Sequence, residues 1–92
     1  MKPFTCLVKK EDNQYSSLCV ELDVASCGDT NEEAIEGLKN AIQAYFEYMV
    51  SEGRGNEIYR PVPMNELRKF LFSDENITEQ PFKAVSLEFE YA

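Results

Sequence analysis

The chain has 92 residues, of which 43% are hydrophobic, and it carries a formal net charge of −8. This length allows one hydrophobic core, so we expect a single folded domain spanning residues 1–92. The acidic balance argues against a nucleic-acid-binding surface, and the absence of His removes the commonest general base and zinc ligand.

The location of the protein is predicted from two features of the chain. No apolar run approaches the length that spans a bilayer, and the first residues lack the apolar core of a signal peptide. We therefore expect a cytoplasmic protein without membrane association. The three cysteines are an odd number without C-x-x-C spacing, which is typical of buried thiols in a reducing compartment.

The first 22 residues predict a β-hairpin. A three-residue turn at 12–14 pairs Glu11 with Tyr15, and this register buries more apolar side chains on one face than a two-residue turn does. Cys6 and Cys19 then lie on opposite faces, so no disulfide is expected between them. The cross-strand pairs predicted on the apolar face are Phe4 with Leu22, Cys6 with Val20, and Val8 with Leu18.

A long amphipathic helix is predicted from Asn31 to about Glu52. Thr30 can cap the amide of Glu33, and Glu33 can reach back to the amide of Thr30, which is a capping box. Gly53 is a typical helix stop. The apolar positions recur at helical spacing and fill one arc: Ala34, Ile35, Leu38, Ala41, Ile42, Tyr45, Phe46 and Met49.

Three further elements are predicted around this helix. Val24 and Ala25 suggest a brief third strand, and the alternation over 82–91 predicts a last strand that pairs with the hairpin or exchanges between subunits. A short helix over 64–72 has an apolar side formed by Met64, Leu67, Phe70 and Leu71, and we expect it at one edge of the sheet. Either this helix or a second copy of the chain could pack on a flank of small residues, Gly37, Ala41 and Ala44.

These elements predict an α+β fold with two layers. An antiparallel sheet, built from the hairpin, the short third strand and the last strand, is covered by the long helix, and the short helix lies beside them. Burial of the helix arc against the sheet is expected to supply most of the stability.

Charge is distributed unevenly along the chain. Residues 29–52 contain six acids and one Lys, whereas residues 53–72 form a basic strip. We expect the strip to neutralise the acidic helix, and a separate binding patch is the alternative. The strip contains four basic residues, Arg54, Arg60, Arg68 and Lys69, and two acids, Glu57 and Glu66.

The sequence contains no motif for catalysis or metal binding. Cys27 has no evident base to activate it, and the acids near the ends of the predicted strands are Glu21, Asp23 and Asp29. Glu21 is expected to point away from the core face. We therefore expect no enzyme activity, no metal and no cofactor, and a metal-dependent nuclease relic is the weakest alternative.

The hairpin with Tyr15-Ser16-Ser17-Leu18, the link Cys27-Gly28 and the run Gly28-Asp29-Thr30-Asn31-Glu32-Glu33-Ala34 before the helix resemble the HicB antitoxin family. The resemblance covers roughly Phe4 to Glu52. It implies a partial ribonuclease-H-like fold and a non-catalytic role in neutralising a small basic toxin that cleaves messenger RNA. Many HicB proteins also carry a C-terminal DNA-binding segment, but no second helix pair with a basic face follows Gly53, so direct DNA binding is not expected.

Two functions from different classes follow from this reading. The first is an antitoxin-like module, a homodimer or higher oligomer, whose acidic surface attracts a basic toxin. Its expected contact residues are Glu32, Glu36 and Glu47. The second is a stand-alone relative that acts as a scaffold or ligand-binding subunit without a toxin.

Overall fold

The structure is a computed structural model that describes residues 2–71 and 82–89. It confirms the predicted α+β fold, with one antiparallel sheet of four strands in the order β3-β2-β1-β4, one long helix and one short helix. The elements are β1 (Lys2–Glu11), β2 (Gln14–Cys19), β3 (Val24–Gly28), α1 (Asn31–Ser51), a 3₁₀ turn (Gly55–Glu57), α2 (Met64–Leu71) and β4 (Phe82–Phe89).

The start of α1 is capped much as the sequence predicts. Thr30 Oγ1 accepts a hydrogen bond from the amide of Glu33 at 3.1 Å. The return bond differs from the prediction, because Glu33 Oε1 accepts from the amide of Asp29 at 3.0 Å rather than from that of Thr30. The carboxylate therefore satisfies a donor one residue earlier and fixes the approach of the chain to the helix.

Gly53 ends α1, as predicted. Its φ of 71° lies in the left-handed region, where glycine carries no steric cost. The amide of Gly53 donates to the carbonyl of Val50 at 3.0 Å, and the amide of Arg54 donates to that of Met49 at 2.8 Å. These two bonds form a Schellman motif, which satisfies carbonyls that the last turn leaves open.

The predicted hairpin register is wrong by one residue. The loop has two residues, Asp12 and Asn13, and Glu11 pairs with Gln14. Asp12 has a φ of 43°, the positive value that the first position of a two-residue hairpin loop requires. Leu7 therefore faces Leu18, and Cys6 faces Cys19.

The reason for this error is that both faces of the hairpin are covered. The predicted register requires one buried face and one solvated face, yet Leu7, Lys9 and Leu18 are buried on the face opposite α1. Alternating burial then cannot choose the register, and the turn decides it. Leu22 still joins the core beneath α1, because it follows the end of β2.

The new register overturns the predicted placement of two cysteines. Cys6 and Cys19 are direct cross-strand partners on the face that α1 covers, and both are fully buried. They are unbridged in this structure. The prediction that Cys6 and Cys19 lie on opposite faces is therefore wrong, so it no longer excludes a bond between them.

The main core lies between α1 and the sheet. The rings of Phe4 and Phe46 meet there with centroids 5.8 Å apart. Leu38 and Ile42 are fully buried, and Tyr45 packs against the same cluster, which confirms the predicted apolar arc. The buried members of this cluster are Phe4, Cys6, Cys19, Leu22, Leu38, Ile42, Phe46, Met49 and Ile58.

Helix α2 lies against the opposite face of the sheet rather than at its edge as predicted. The ring of Phe70 sits over Lys9 Nζ, with 4.8 Å to the ring centroid, and Lys9 is only 3% exposed. Met64 was expected on the apolar side, but it is 69% exposed. Met64 is the first residue of α2 and lies about 9 Å from Phe70 along the helix axis. It is therefore beyond the contact that Phe70 makes with the sheet.

The flank of small residues on α1 is partly occupied by the sheet itself. A Cβ atom on Gly37 would lie 2.6 Å from Ser26 Oγ. Strand β3 therefore packs closely against this flank, where α2 was one of the two predicted partners. Ala44 is exposed. Packing of α2 on this flank is therefore wrong, and packing of a second copy stays a prediction.

Strand β4 pairs with β1 along Phe82–Phe89, so the last strand joins the hairpin within one chain. Leu87 packs against the core, whereas Ser86 and Glu88 are exposed, as the alternation predicts. Tyr91, which was predicted to end this strand, lies outside the described residues.

Candidate partner-binding surface

The three predicted contact residues share one exposed face of α1. Glu32, Glu36 and Glu47 all point away from the sheet, since successive members lie within about 40° of one another around the helix. They extend over about 22 Å of the helix axis. We call this set the acidic face.

The acidic face is polar along its whole length. Gln43 lies between Glu36 and Glu47 on the same side and donates from Nε2 to Glu47 Oε2 at 3.3 Å. Lys39 is the single basic residue of α1. Such an exposed row of carboxylates on a rigid element can attract a basic surface through long-range electrostatics.

Among residues 2–71 and 82–89, no ion pair joins the basic strip to the acidic face. Arg54 Nε lies 3.3 Å from Glu57 Oε1, and Lys69 Nζ lies 3.6 Å from Glu66 Oε2, so these pairs stay within the strip. Arg60 stacks over the ring of Tyr45 at 4.9 Å, on the core side of α1. The expectation that the strip and the acidic helix neutralise each other is therefore wrong for these three residues.

The acids near the strand ends, Glu21, Asp23 and Asp29, do not converge on one site. Glu21 does not point away from the core as predicted: its Oε1 accepts from the amide of Thr5 at 2.8 Å and lies 3.9 Å from Cys19 Sγ. Asp23 and Asp29 border two different depressions. Across residues 2–71 and 82–89, no three Cys, Asp or Glu side chains are grouped so that they could hold a metal ion.

Two open depressions on the part of the surface that the structure describes border Asp29 and Asp23. The larger one, of about 570 Å³, lies between the hairpin turn and the start of α1, and it is lined by Lys10, Asp12, Asn13, Tyr15, Asp29, Thr30, Asn31 and Glu32. The smaller one, of about 350 Å³, lies between α2 and the sheet and is lined by Lys9, Glu11, Leu18, Asp23, Val62, Glu66, Lys69 and Phe70. Both are open to solvent and have charged side chains in their lining, which favours a protein contact over an enclosed small-molecule site.

An ion pair beneath α2, which the sequence did not predict, joins the buried Lys9 to the partly exposed Glu11. Lys9 Nζ lies 3.0 Å from Glu11 Oε2, and Ser16 Oγ donates to Glu11 Oε1 at 2.7 Å. The hydrogen bond from Ser16, followed by the contact with Lys9, lowers the pKa of Glu11 below its ordinary value. A lysine in an alternating strand normally indicates a solvent-facing position, so no signal in the sequence pointed to its burial.

The structure thus defines a small α+β domain: a four-stranded antiparallel sheet with α1 on one face, α2 on the other, and an acidic outer face on α1. No helix within the described ranges is long and apolar enough to cross a membrane. No family model matches the sequence, and no solved structure matches it.

Comparison with curated proteins identifies the family. The chain is 38% identical over 66 residues to the UPF0150 protein ssr1765 of Synechocystis sp., and the match covers 70% of this chain and 76% of the relative. The protein therefore belongs to the UPF0150 family.

Proposed function

We propose that this protein is a non-catalytic, antitoxin-like module that binds and neutralises a small basic toxin that cleaves RNA. The observation that carries the proposal is the acidic face, because three carboxylates stand exposed on one rigid helix in a chain of net charge −8. The family supports the same reading, since UPF0150 is a HicB-like family.

The proposed mechanism is electrostatic attraction followed by masking. A toxin that binds RNA needs a basic surface, and the acidic face offers that surface a row of fixed negative charge. Binding there covers the groups that would contact the RNA backbone. The module acts in the cytoplasm, as a homodimer or higher oligomer, and it needs neither a cofactor nor a DNA site.

The experiment compares two variants with the same net charge. One reverses the acidic face by Glu32→Lys, Glu36→Lys and Glu47→Lys. The control reverses three exposed acids elsewhere, Glu52, Glu57 and Glu88, and leaves the acidic face intact. Each tagged protein is used to capture partners from the native cell, and captured basic proteins are then purified and tested for cleavage of RNA.

The expected result has three parts. The wild type and the control capture a basic protein that cleaves RNA, and adding an equal amount of the wild-type chain stops the cleavage. The variant with the reversed acidic face associates at least about tenfold more slowly at low salt, because steering by charge is lost. Equal association rates for the two variants would exclude the acidic face as the contact surface.

A different outcome would favour the scaffold function. If the captured proteins are not basic, or if they leave RNA intact, then the antitoxin role is wrong for this chain. Circular dichroism of all three proteins checks that the charge reversals leave α1 folded.

A further inference from the structure

The two fully buried thiols of the chain face each other across the centre of the sheet. Cys6 on β1 and Cys19 on β2 are direct partners in the ladder, and both belong to the core beneath α1. Neither the acidic face nor the capping of α1 involves them.

The register places the two cysteines in a pair that is not joined by backbone hydrogen bonds. The amide of Val20 donates to the carbonyl of Thr5 at 3.0 Å, which makes the neighbouring pair, Thr5 with Val20, a hydrogen-bonded one. The two kinds of pair alternate along an antiparallel ladder. Cys6 and Cys19 thus form a pair of the closer kind, with Cα atoms about 4.5 Å apart.

That separation falls in the range that a disulfide needs, about 4.4–6.8 Å between Cα atoms. Both side chains also point to the same face, so their sulfur atoms approach each other without rotation of a strand. We propose that Cys6 and Cys19 are an oxidisable dithiol, which a low-molecular-weight disulfide converts to a cross-strand disulfide.

The neighbouring groups fit this chemistry. The thiol of Cys6 forms a hydrogen bond to the sulfur of Cys19, which lowers the pKa of Cys19, while the same bond and burial raise the pKa of Cys6. Cys19 Sγ lies 3.9 Å from Oε1 of the half-buried Glu21, whose negative charge raises the pKa of both thiols, so the proton of Cys19 is released to water when the site opens. Cys19 is therefore the thiol that attacks first.

The exchange balances in two steps. The Cys19 thiolate attacks one sulfur of a cyclic disulfide, forming a mixed disulfide and releasing the other sulfur as a thiolate, which takes up a proton. Cys6 then attacks Cys19 Sγ, loses its proton and displaces the second sulfur of the reagent. The two cysteines give up two electrons and two protons, and the cyclic disulfide becomes a dithiol. Because both thiols are buried, the reagent reaches them when the layer formed by α1 opens.

The test measures the equilibrium of this bond with oxidised and reduced dithiothreitol. The protein carries Cys27→Ser, which removes the exposed third thiol and prevents scrambling. The reaction is quenched with acid and the free thiols are alkylated. The intact mass then gives the fraction of chains in which neither Cys6 nor Cys19 is alkylated, which is the disulfide-bonded fraction. The measurement is made in buffer and again in concentrated urea, where circular dichroism verifies unfolding.

The expected equilibrium constant for the disulfide is at least about tenfold larger in buffer than in urea, because a fold that holds the two sulfurs together favours the bond. A constant equal or smaller in buffer would overturn the proposal, since the native geometry would then not favour the bond. In the chain with all three cysteines, oxidation is expected to leave a single alkylatable thiol at Cys27. A bridge that includes Cys27 would also contradict the assignment.

Discussion

Tyr45 on α1 donates a hydrogen bond from its hydroxyl to the carbonyl of Ile58 at 2.7 Å. This bond fastens the segment that follows the 3₁₀ turn to the long helix. The same segment reaches the sheet as well, since the amide of Arg60 donates to the carbonyl of Glu21 at 2.9 Å. The side chain of Ile58 is buried in the core, although no helical or alternating pattern surrounds it in the sequence.

Loss of this hydroxyl is expected to weaken the protein measurably. Tyr45→Phe keeps the ring beneath Arg60 but leaves the Ile58 carbonyl without its side-chain donor, which we expect to lower the free energy of unfolding by about 1 kcal/mol. Urea denaturation followed by circular dichroism measures the change. Tyr48→Phe is the matched control, because Tyr48 is 56% exposed on the same helix and is expected to change stability by less than about 0.5 kcal/mol. Equal effects of the two substitutions would contradict the assigned role of the Tyr45 hydroxyl.

Gly28 is expected to be the least replaceable glycine of the chain. A Cβ atom there would lie 2.7 Å from the amide nitrogen of Ala34 and 2.7 Å from Glu33 Cβ, in the first turn of α1. Backbone cannot move aside as a flexible side chain does, so Gly28→Ala is expected to cost about 2 kcal/mol of stability. Thermal and urea unfolding measure this cost.

Two other glycines provide the comparison. Gly37→Ala meets the hydroxyl of Ser26 at 2.6 Å, which can rotate away, and it gains about 1 kcal/mol of helix propensity, so the net change is expected to be small. Gly55→Ala has its nearest neighbour, Val50 Cγ2, at 3.9 Å and is expected to be nearly neutral. A Gly28 variant as stable as the Gly55 variant would show that β3 and α1 are further apart than described.

Glu11 is expected to make the protein sensitive to acid. Its pKa lies below the ordinary value of 4.5, so its ionised form is favoured by folding. The stability from this group is fully present above about pH 4.5 and is lost as the pH falls through the lowered pKa. Because the side chain is 40% exposed, the effect is modest.

The measurement is the urea midpoint between neutral and acidic pH for the wild type and Glu11→Gln. We expect the variant to be less stable at neutral pH and the two curves to converge below the lowered pKa. Glu47→Gln, which changes an exposed carboxylate on α1, serves as the control. Parallel curves for the wild type and Glu11→Gln would contradict the role assigned to the contacts with Ser16 and Lys9.

Local signals predicted the long helix and its exposed face. Thr30 and Gly53 mark its two ends through bonds that involve only neighbouring residues, and the helical period alone places Glu32, Glu36 and Glu47 on one side. The last strand was predicted for the same reason, because alternation along a strand assigns its faces without knowledge of its partner.

The register of the hairpin could not be predicted from local sequence patterns alone. The register with a three-residue turn is favoured only if one face of the hairpin is buried and the other is exposed. Once Leu7, Lys9 and Leu18 are covered on the second face, the burial argument no longer distinguishes the two registers, and the left-handed Asp12 decides between them. The facing thiols of Cys6 and Cys19 follow from that choice.

The sequence by itself therefore determined which segments form helix and strand, and which acids stand on the outside of α1, because both depend on the period of a single element. The tertiary structure alone decided the side of the sheet on which α2 lies, the burial of Lys9 and the pairing of Cys6 with Cys19. Those features depend on contacts between segments far apart in the chain, and such contacts leave no periodic trace in either segment.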